Sequence, residues 1–206
     1  MRKNEFAPEN YDKVEVKWNL GFLKASLYGV IIYIVAGVIL GIPFMLVNTD
    51  IVQEFRYDFL GAWGDSALPF HILMPGLVLT VIVHELLHAF FYAIQCKHGF
   101  KSIKFGVEAK SFMFYAYAAC KEIIPTSKFI AGLVLPGIIT GIMPVIASIF
   151  IGSLELFFFG LLITSMCVGD LYILSQIYKN RKSTWFHNTA WLEPNAEYDM
   201  VLYKPK

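Results

Sequence analysis

The segment Val83-His84-Glu85-Leu86-Leu87-His88-Ala89 carries the pattern HExxH. On a helix, His84 and His88 are four residues and about 40° apart around the axis, so both imidazoles face one side. Two imidazoles so placed can hold one Zn2+. Glu85 falls about 100° from His84 and about 60° from His88. It can reach a water polarised by the ion without being a ligand itself. Zinc lowers the pKa of such a water, and a neighbouring glutamate can take its proton and later hand it to a leaving amine. That is peptide-bond hydrolysis. With five His and ten Glu in 206 residues, a chance HExxH arises in roughly 0.6% of shuffled sequences, so its setting has to decide.

A catalytic zinc takes three protein ligands and a water, so two histidines leave it one ligand short. Asp170, in Cys167-Val168-Gly169-Asp170-Leu171, is the other acidic residue deep in an apolar stretch. Its rivals are Cys167, one turn earlier, and His98, which is about 15 Å from His88 along a continuous helix. His71 and His187 read as interfacial or surface histidines. The expected site is therefore Glu85 as catalytic base, with His84, His88 and Asp170 holding Zn2+.

The elements that must position these residues are membrane spans. Apolar stretches of about 20 residues or more run from about Leu20 to Val47, Leu68 to Ile94, Phe129 to Ile151 and Leu154 to Tyr178. A charged group at the centre of a span costs at least about 2.5–3.5 kcal/mol, and three ionisable residues within five positions need partners. His88 lies nine residues before Lys97, and Asp170 lies nine before Lys179. Each is therefore about 13–14 Å along a helix from a flanking lysine. Spans two and four run in the same direction, so their equal depth can bring His84, His88 and Asp170 to one ion.

Composition agrees. Hydrophobic residues are 57% and charged residues 16%, where a soluble domain carries about 25% charged. This excludes a disordered chain, a collagen-like chain and an ordinary cytosolic enzyme. A net charge of +1 excludes bulk electrostatic capture of nucleic acid. Of the 17 Lys and Arg, only Arg56 lies between spans one and two, beside Asp50, Glu54, Asp58 and Asp65. The positive-inside rule then places both termini and the middle loop in the cytoplasm. Four spans require the termini on one side, so the two counts agree. The first span starts too late and runs too long for a cleaved signal peptide.

The middle loop alternates from Ser102 to Glu108, with Ile103, Phe105 and Val107 against Lys104, Gly106 and Glu108. That period of two predicts a strand. Glu108 to Ser111 could turn it into a second strand over Phe112 to Ala118. Gly152 and Ser153 allow a tight helical hairpin between the last two spans. Pro75, Pro136 and Pro144 predict kinks, with a substrate groove at Pro136 as the weaker alternative. The tail from Lys179, with Trp185, Trp191, Tyr198 and Tyr203, reads as a cytoplasmic segment near the interface. Cys96, Cys120 and Cys167 read as free thiols. The expected fold is all-α membrane: residues 1–206 form one integral membrane domain of four helices, with a cytoplasmic-side β-hairpin.

His84, Glu85, His88 and Asp170 resemble the intramembrane zinc metalloproteases of the site-2 protease type. Those enzymes place HExxH in one span and an aspartate in a later one, with a β-hairpin after the HExxH helix. In size and pattern the chain is most similar to a small bacterial family of zincin peptidases. The resemblance covers about Leu68 to Tyr178. It implies a bacterial plasma membrane location and cleavage of a peptide or membrane-protein substrate in or near a span. The chain departs from the site-2 pattern in three ways. The pair around the third ligand is reversed as Gly169-Asp170, spans three and four contain no Asn, and there is no PDZ-like insertion.

Three readings follow. The leading one is a membrane-embedded zinc endopeptidase. The alternative is a non-catalytic metal-binding membrane protein, a sensor or scaffold. The third is a structural protein with a polar interhelical network and no metal. Glu85 favours the first, because a pure binding site needs no base beside it.

Overall fold

An apolar stretch in lipid must satisfy its backbone hydrogen bonds internally, and a helix does so. The computed structural model describes residues 7–17, 20–50, 70–110, 113–189 and 199–206. Strand β1 (Tyr11–Val16) precedes helix α1 (Phe22–Val47), and helix α2 (Phe70–Ala93) carries HExxH. Strands β2 (Ile103–Lys110), β3 (Met113–Cys120) and β4 (Ile124–Pro125) follow. Next come α3 (Thr126–Gly137), a π-helical turn (Ile138–Ile142), α4 (Met143–Ile151), α5 (Leu154–Met166) and α6 (Val168–Lys179). Strands β5 (Trp185–Asn188) and β6 (Met200–Pro205) close the chain.

The protein is mostly helical, with small sheets. Among the described residues three helical runs are long and apolar enough to cross a membrane: Phe22–Val47, Met74–Ala93 and Thr126–Ile151. The pair α5 and α6 makes a fourth if counted as one span. On α1, Leu23, Ile34, Val38 and Leu46 are all exposed, as a lipid-facing helix requires. The expected acidic loop of Glu54, Arg56, Asp58 and Asp65 lies outside the described residues, as do Trp191 and Tyr198.

The expected hairpin forms over β2 and β3, in antiparallel register from Ile103↔Cys120 to Lys110↔Met113. The tight connection also forms. Gly152 takes a left-handed φ of 75°, and the Ser153 hydroxyl caps α5 by accepting from the Leu156 N–H at 3.2 Å.

Two expectations need correction. The stretch Leu154 to Tyr178 is not one straight helix but breaks at Cys167, with a bend of 46°. Just before the break, Thr164 and Ser165 return their hydroxyls to the carbonyls of Gly160 and Leu162. Gly169 follows it. Hydroxyl back-bonding and glycine both favour a bend. The tail is not a plain interfacial segment either. β5 and β6 join a four-stranded antiparallel sheet of order β1-β6-β5-β4. β1 pairs with β6 from Tyr11↔Pro205 to Val16↔Met200. Trp185 donates from Nε1 to the Tyr11 hydroxyl at 3.1 Å, and Leu202 is fully buried. The fold is therefore helical with two small sheets, not all-α with one hairpin.

Contacts divide the chain into two units. The sheet-bearing unit takes in Met1–Phe22, Glu85–Leu135 and Gly169–Lys206, and the helical unit takes in Leu23–His84 and Pro136–Val168. The core of the first includes Ala89, Tyr92, Phe129, Leu133, Ile177 and Phe186. The core of the second is Phe44, Val145, Phe157 and Leu161. In the helical unit, a Cβ added at Gly160 would lie 2.9 Å from the Val145 backbone nitrogen. The hairpin of α4 and α5 therefore packs backbone against backbone, as small residues allow in lipid.

Candidate metal centre

α2 is one continuous helix through His84, Glu85 and His88. Their ligand atoms all lie within 4.8 Å of one another, as the four-residue spacing predicts. His88 is 5% exposed, while His84 and Glu85 are half-buried.

Each histidine uses Nδ1 elsewhere. His88 Nδ1 donates to the Gly132 carbonyl at 2.9 Å. A carbonyl only accepts, so the proton sits on Nδ1 and the lone pair, the one a metal would take, sits on Nε2. That carbonyl is available for a reason written in the sequence. In a helix the Gly132 oxygen would accept from the N–H of residue 136, and residue 136 is proline. Pro136 therefore leaves an acceptor unclaimed inside an apolar helix, and His88 claims it.

His84 Nδ1 lies 3.0 Å from the Thr140 hydroxyl. That hydroxyl donates its one proton to the Pro136 carbonyl at 2.8 Å, so it accepts from Nδ1–H. The same tautomer puts the lone pair of His84 on Nε2. Thr140 lies in the π-helical turn and is buried. Such turns are frequent at functional sites.

Asp170 lies in the first turn of α6, and its Oδ1 is 3.5 Å from His88 Nε2. A direct charge-assisted hydrogen bond would be about 2.7–2.9 Å. A nitrogen and an oxygen each about 2.0–2.2 Å from one tetrahedral zinc lie about 3.4 Å apart. The separation fits two atoms sharing an ion better than a direct bond. The donor set, two neutral imidazoles through Nε2 and one carboxylate, is a zinc set, so these residues fit the metal.

Of the rivals for third ligand, Cys167 comes near and His98 does not. Cys167 and His84 offer ligand atoms within 4.8 Å of one another. His98 is 74% exposed, and its Nδ1 lies 3.0 Å from Glu122 Oε1. His187 lies in β5 opposite Val201, and the His71 side chain lies outside the described residues.

Gly132 also sets how closely α3 approaches α2. A Cβ there would lie 2.5 Å from Tyr92 Cε1. Tyr92 stacks on His88 at a centroid distance of 5.9 Å and on Phe129 at 5.2 Å. Phe129 stacks in turn on Phe186 of β5 at 3.6 Å. A ladder of rings thus runs from His88 to the tail sheet. Sequence reasoning missed Gly132, Thr140 and this ladder, and read Pro136 as a kink or groove rather than as the residue that opens the Gly132 carbonyl. The signals were a hydroxyl and a proline inside an apolar span.

The base of the hairpin is fastened separately. Burial alone would raise the Glu122 carboxyl. The Ser102 hydroxyl, the Lys97 N–H, the His98 ring and the His98 N–H all donate to it and hold its pKa at about 2.

A helical protein with span-length helices and an HExxH helix, its two imidazoles carrying their lone pairs on Nε2, is of the zinc-peptidase class. The chain belongs to the family described as "Putative zincin peptidase", whose model matches residues 77–185. That range holds His84, Glu85, His88 and Asp170. No curated protein and no solved structure matches the chain.

Proposed function

We propose that this protein is an intramembrane zinc metallo-endopeptidase that hydrolyses peptide bonds in or near membrane spans. The observation that carries the reading is the 3.5 Å separation of His88 Nε2 from Asp170 Oδ1, with both histidine Nδ1 atoms engaged elsewhere. His84, His88 and Asp170 would hold the ion. When bound, zinc supplies Lewis acidity that makes water a nucleophile near neutral pH. Glu85 takes the proton from the attacking water and passes it to the leaving nitrogen. The hydrogen bonds from His84 to Thr140 and from His88 to Gly132 keep both rings in one tautomer and orientation.

The hairpin supports an account of how substrate is held. A helical substrate hides its scissile carbonyl in its own hydrogen bonds and must be unwound. β2 and β3 form a two-stranded sheet, so each has an outer edge on which an extended peptide can pair.

The sheet supports a four-span topology. β1 precedes the first span and β6 follows the last, and they are hydrogen-bonded to each other. Chain ends paired on one face require an even number of crossings. This supports counting α5 and α6 as the fourth, and the distribution of Lys and Arg favours the cytoplasmic face for both ends.

The test is the zinc content of the detergent-purified protein beside His88→Ala, Asp170→Ala and Cys167→Ser, with cleavage measured in Glu85→Gln. One zinc per wild-type chain is expected, lost in the first two variants and kept in Cys167→Ser and Glu85→Gln. Glu85→Gln is expected to lose about 10²–10⁴-fold in cleavage rate. Unchanged cleavage in Glu85→Gln sinks the enzyme. Zinc kept in Asp170→Ala removes that residue from the ligand set.

A further inference from the structure

A second concave site lies in the sheet-bearing unit, where α3 begins and α6 ends. It is a cleft of about 410 Å³, and none of His84, Glu85, His88 or Asp170 lines it. Its polar part brings together Thr126, Ser127, Arg181, Ser183 and Thr184, with no carboxylate among the lining residues. Thr126 and Ser183 are only 5% and 7% exposed, and among the described residues their hydroxyl oxygens have no hydrogen-bond partner. A buried hydroxyl without a partner is costly, and two lining one cleft point to a ligand that accepts hydrogen bonds.

The first turn of α3 adds to this. The Thr126 N–H is taken by the Thr184 carbonyl at 2.9 Å. Pro125 stands before the helix and has no polar side chain with which to cap the N–H groups of Ser127 and Lys128. A helix N-terminus, hydroxyl groups and a guanidinium together suit a phosphate oxygen. Lys128, Lys179 and Lys182 lie within three residues of these groups in sequence and add positive charge.

The other wall is apolar. Ile130, Leu174 and Tyr178 line it, and Tyr178 is 71% exposed. Both helices here belong to span candidates, one starting at Thr126 and the other ending at Lys179. The cleft therefore sits where a span meets water, with a cationic, hydroxyl-rich end and an apolar end. A phospholipid has the matching division. We infer that this cleft binds an anionic phospholipid, its phosphate held by Arg181, Thr126, Ser127 and Ser183 and an acyl chain lying against Leu174 and Tyr178.

The experiment is native mass spectrometry of the full-length protein in detergent, with phosphatidylglycerol or phosphatidylcholine of identical acyl chains. Wild type is expected to retain phosphatidylglycerol preferentially. Arg181→Gln alters an exposed side chain and is expected to keep the wild-type melting temperature while lowering that preference about fivefold. Thr126→Val, close in shape, is expected to lower it as well. Equal retention of the two lipids, or an unchanged preference in Arg181→Gln, overturns the inference. Inorganic phosphate binding as tightly as phosphatidylglycerol also overturns it, since the acyl wall would then contribute nothing. None of these readouts depends on zinc or cleavage, so the peptidase reading stands or falls separately.

Discussion

The two units hold one histidine each, by different means. In the helical unit His84 leans on Thr140, whose hydroxyl is tied to its own helix through the Pro136 carbonyl. Ser148, Thr164 and Ser165 are likewise satisfied within their own helices. Packing there depends on glycine. In the sheet-bearing unit His88 leans on a carbonyl left open by a proline and on a ladder of rings that ends in a sheet. The difference follows from the solvent. Lipid tails are as apolar as leucine, so helices in lipid gain from close packing more than from burial. The tail sheet, with Phe186 and Leu202 buried, gains from removing apolar surface from water.

The sharpest way to break the comparison is to add a Cβ on each side. Gly132→Val drives into Tyr92, and is expected to abolish zinc binding along with the ring ladder. Gly160→Val drives into the Val145 backbone, and is expected to lower thermal stability while the remaining folded protein still binds zinc. Zinc content per folded chain separates the two. If both variants lose zinc equally, the units are not distinct in what they support.

Phe186→Ala removes the far end of the ladder without touching α2. A buried Phe→Ala change costs about 3–5 kcal/mol, to be read from chemical or thermal unfolding. Zinc affinity is expected to fall too, because His88 loses part of what orients it. Thr140→Val keeps the shape and removes the acceptor for His84 Nδ1. Loss of such a partner costs about 10–100-fold in metal affinity, measured by competition with a chelator. Pro136→Ala returns an N–H that competes for the Gly132 carbonyl, and is expected to weaken zinc by a similar or smaller factor.

The smallest effect concerns the hairpin base. The Glu122 carboxyl lies at about 2 in the folded protein, against an ordinary 4.5. A depressed carboxyl adds stability that is complete above about pH 4.5 and is lost as pH falls toward 2. Wild type should therefore lose melting temperature across that window more steeply than Glu122→Gln. Parallel pH profiles would show that the four bonds to Glu122 add nothing.

Much of the site is legible in the residue types. HExxH fixes two imidazoles and a carboxylate on one helix face, because helical spacing is local. Asp170 is legible because an acid in an apolar stretch needs a reason. The partners of Nδ1 are not, since Gly132 and Thr140 are ordinary residues until α3 lies beside α2. The hairpin is legible from its alternation over Ile103 to Glu108. The four-stranded sheet is not, because β4 and β5 are two and four residues long and β1 and β6 lie at opposite ends of the chain. The break at Cys167 is hidden because Thr164, Ser165 and Gly169 are ordinary residues of a span and no proline marks the bend.

The pairing of Tyr11 with Pro205 also sets an order of events during synthesis. At about 5–20 residues per second, a ribosome needs roughly 10–40 s to travel from β1 to β6. All the span-length helices are made in that interval. The sheet is the last part to close, and the ring ladder that steadies His88 through Phe186 cannot be completed before β5 is made.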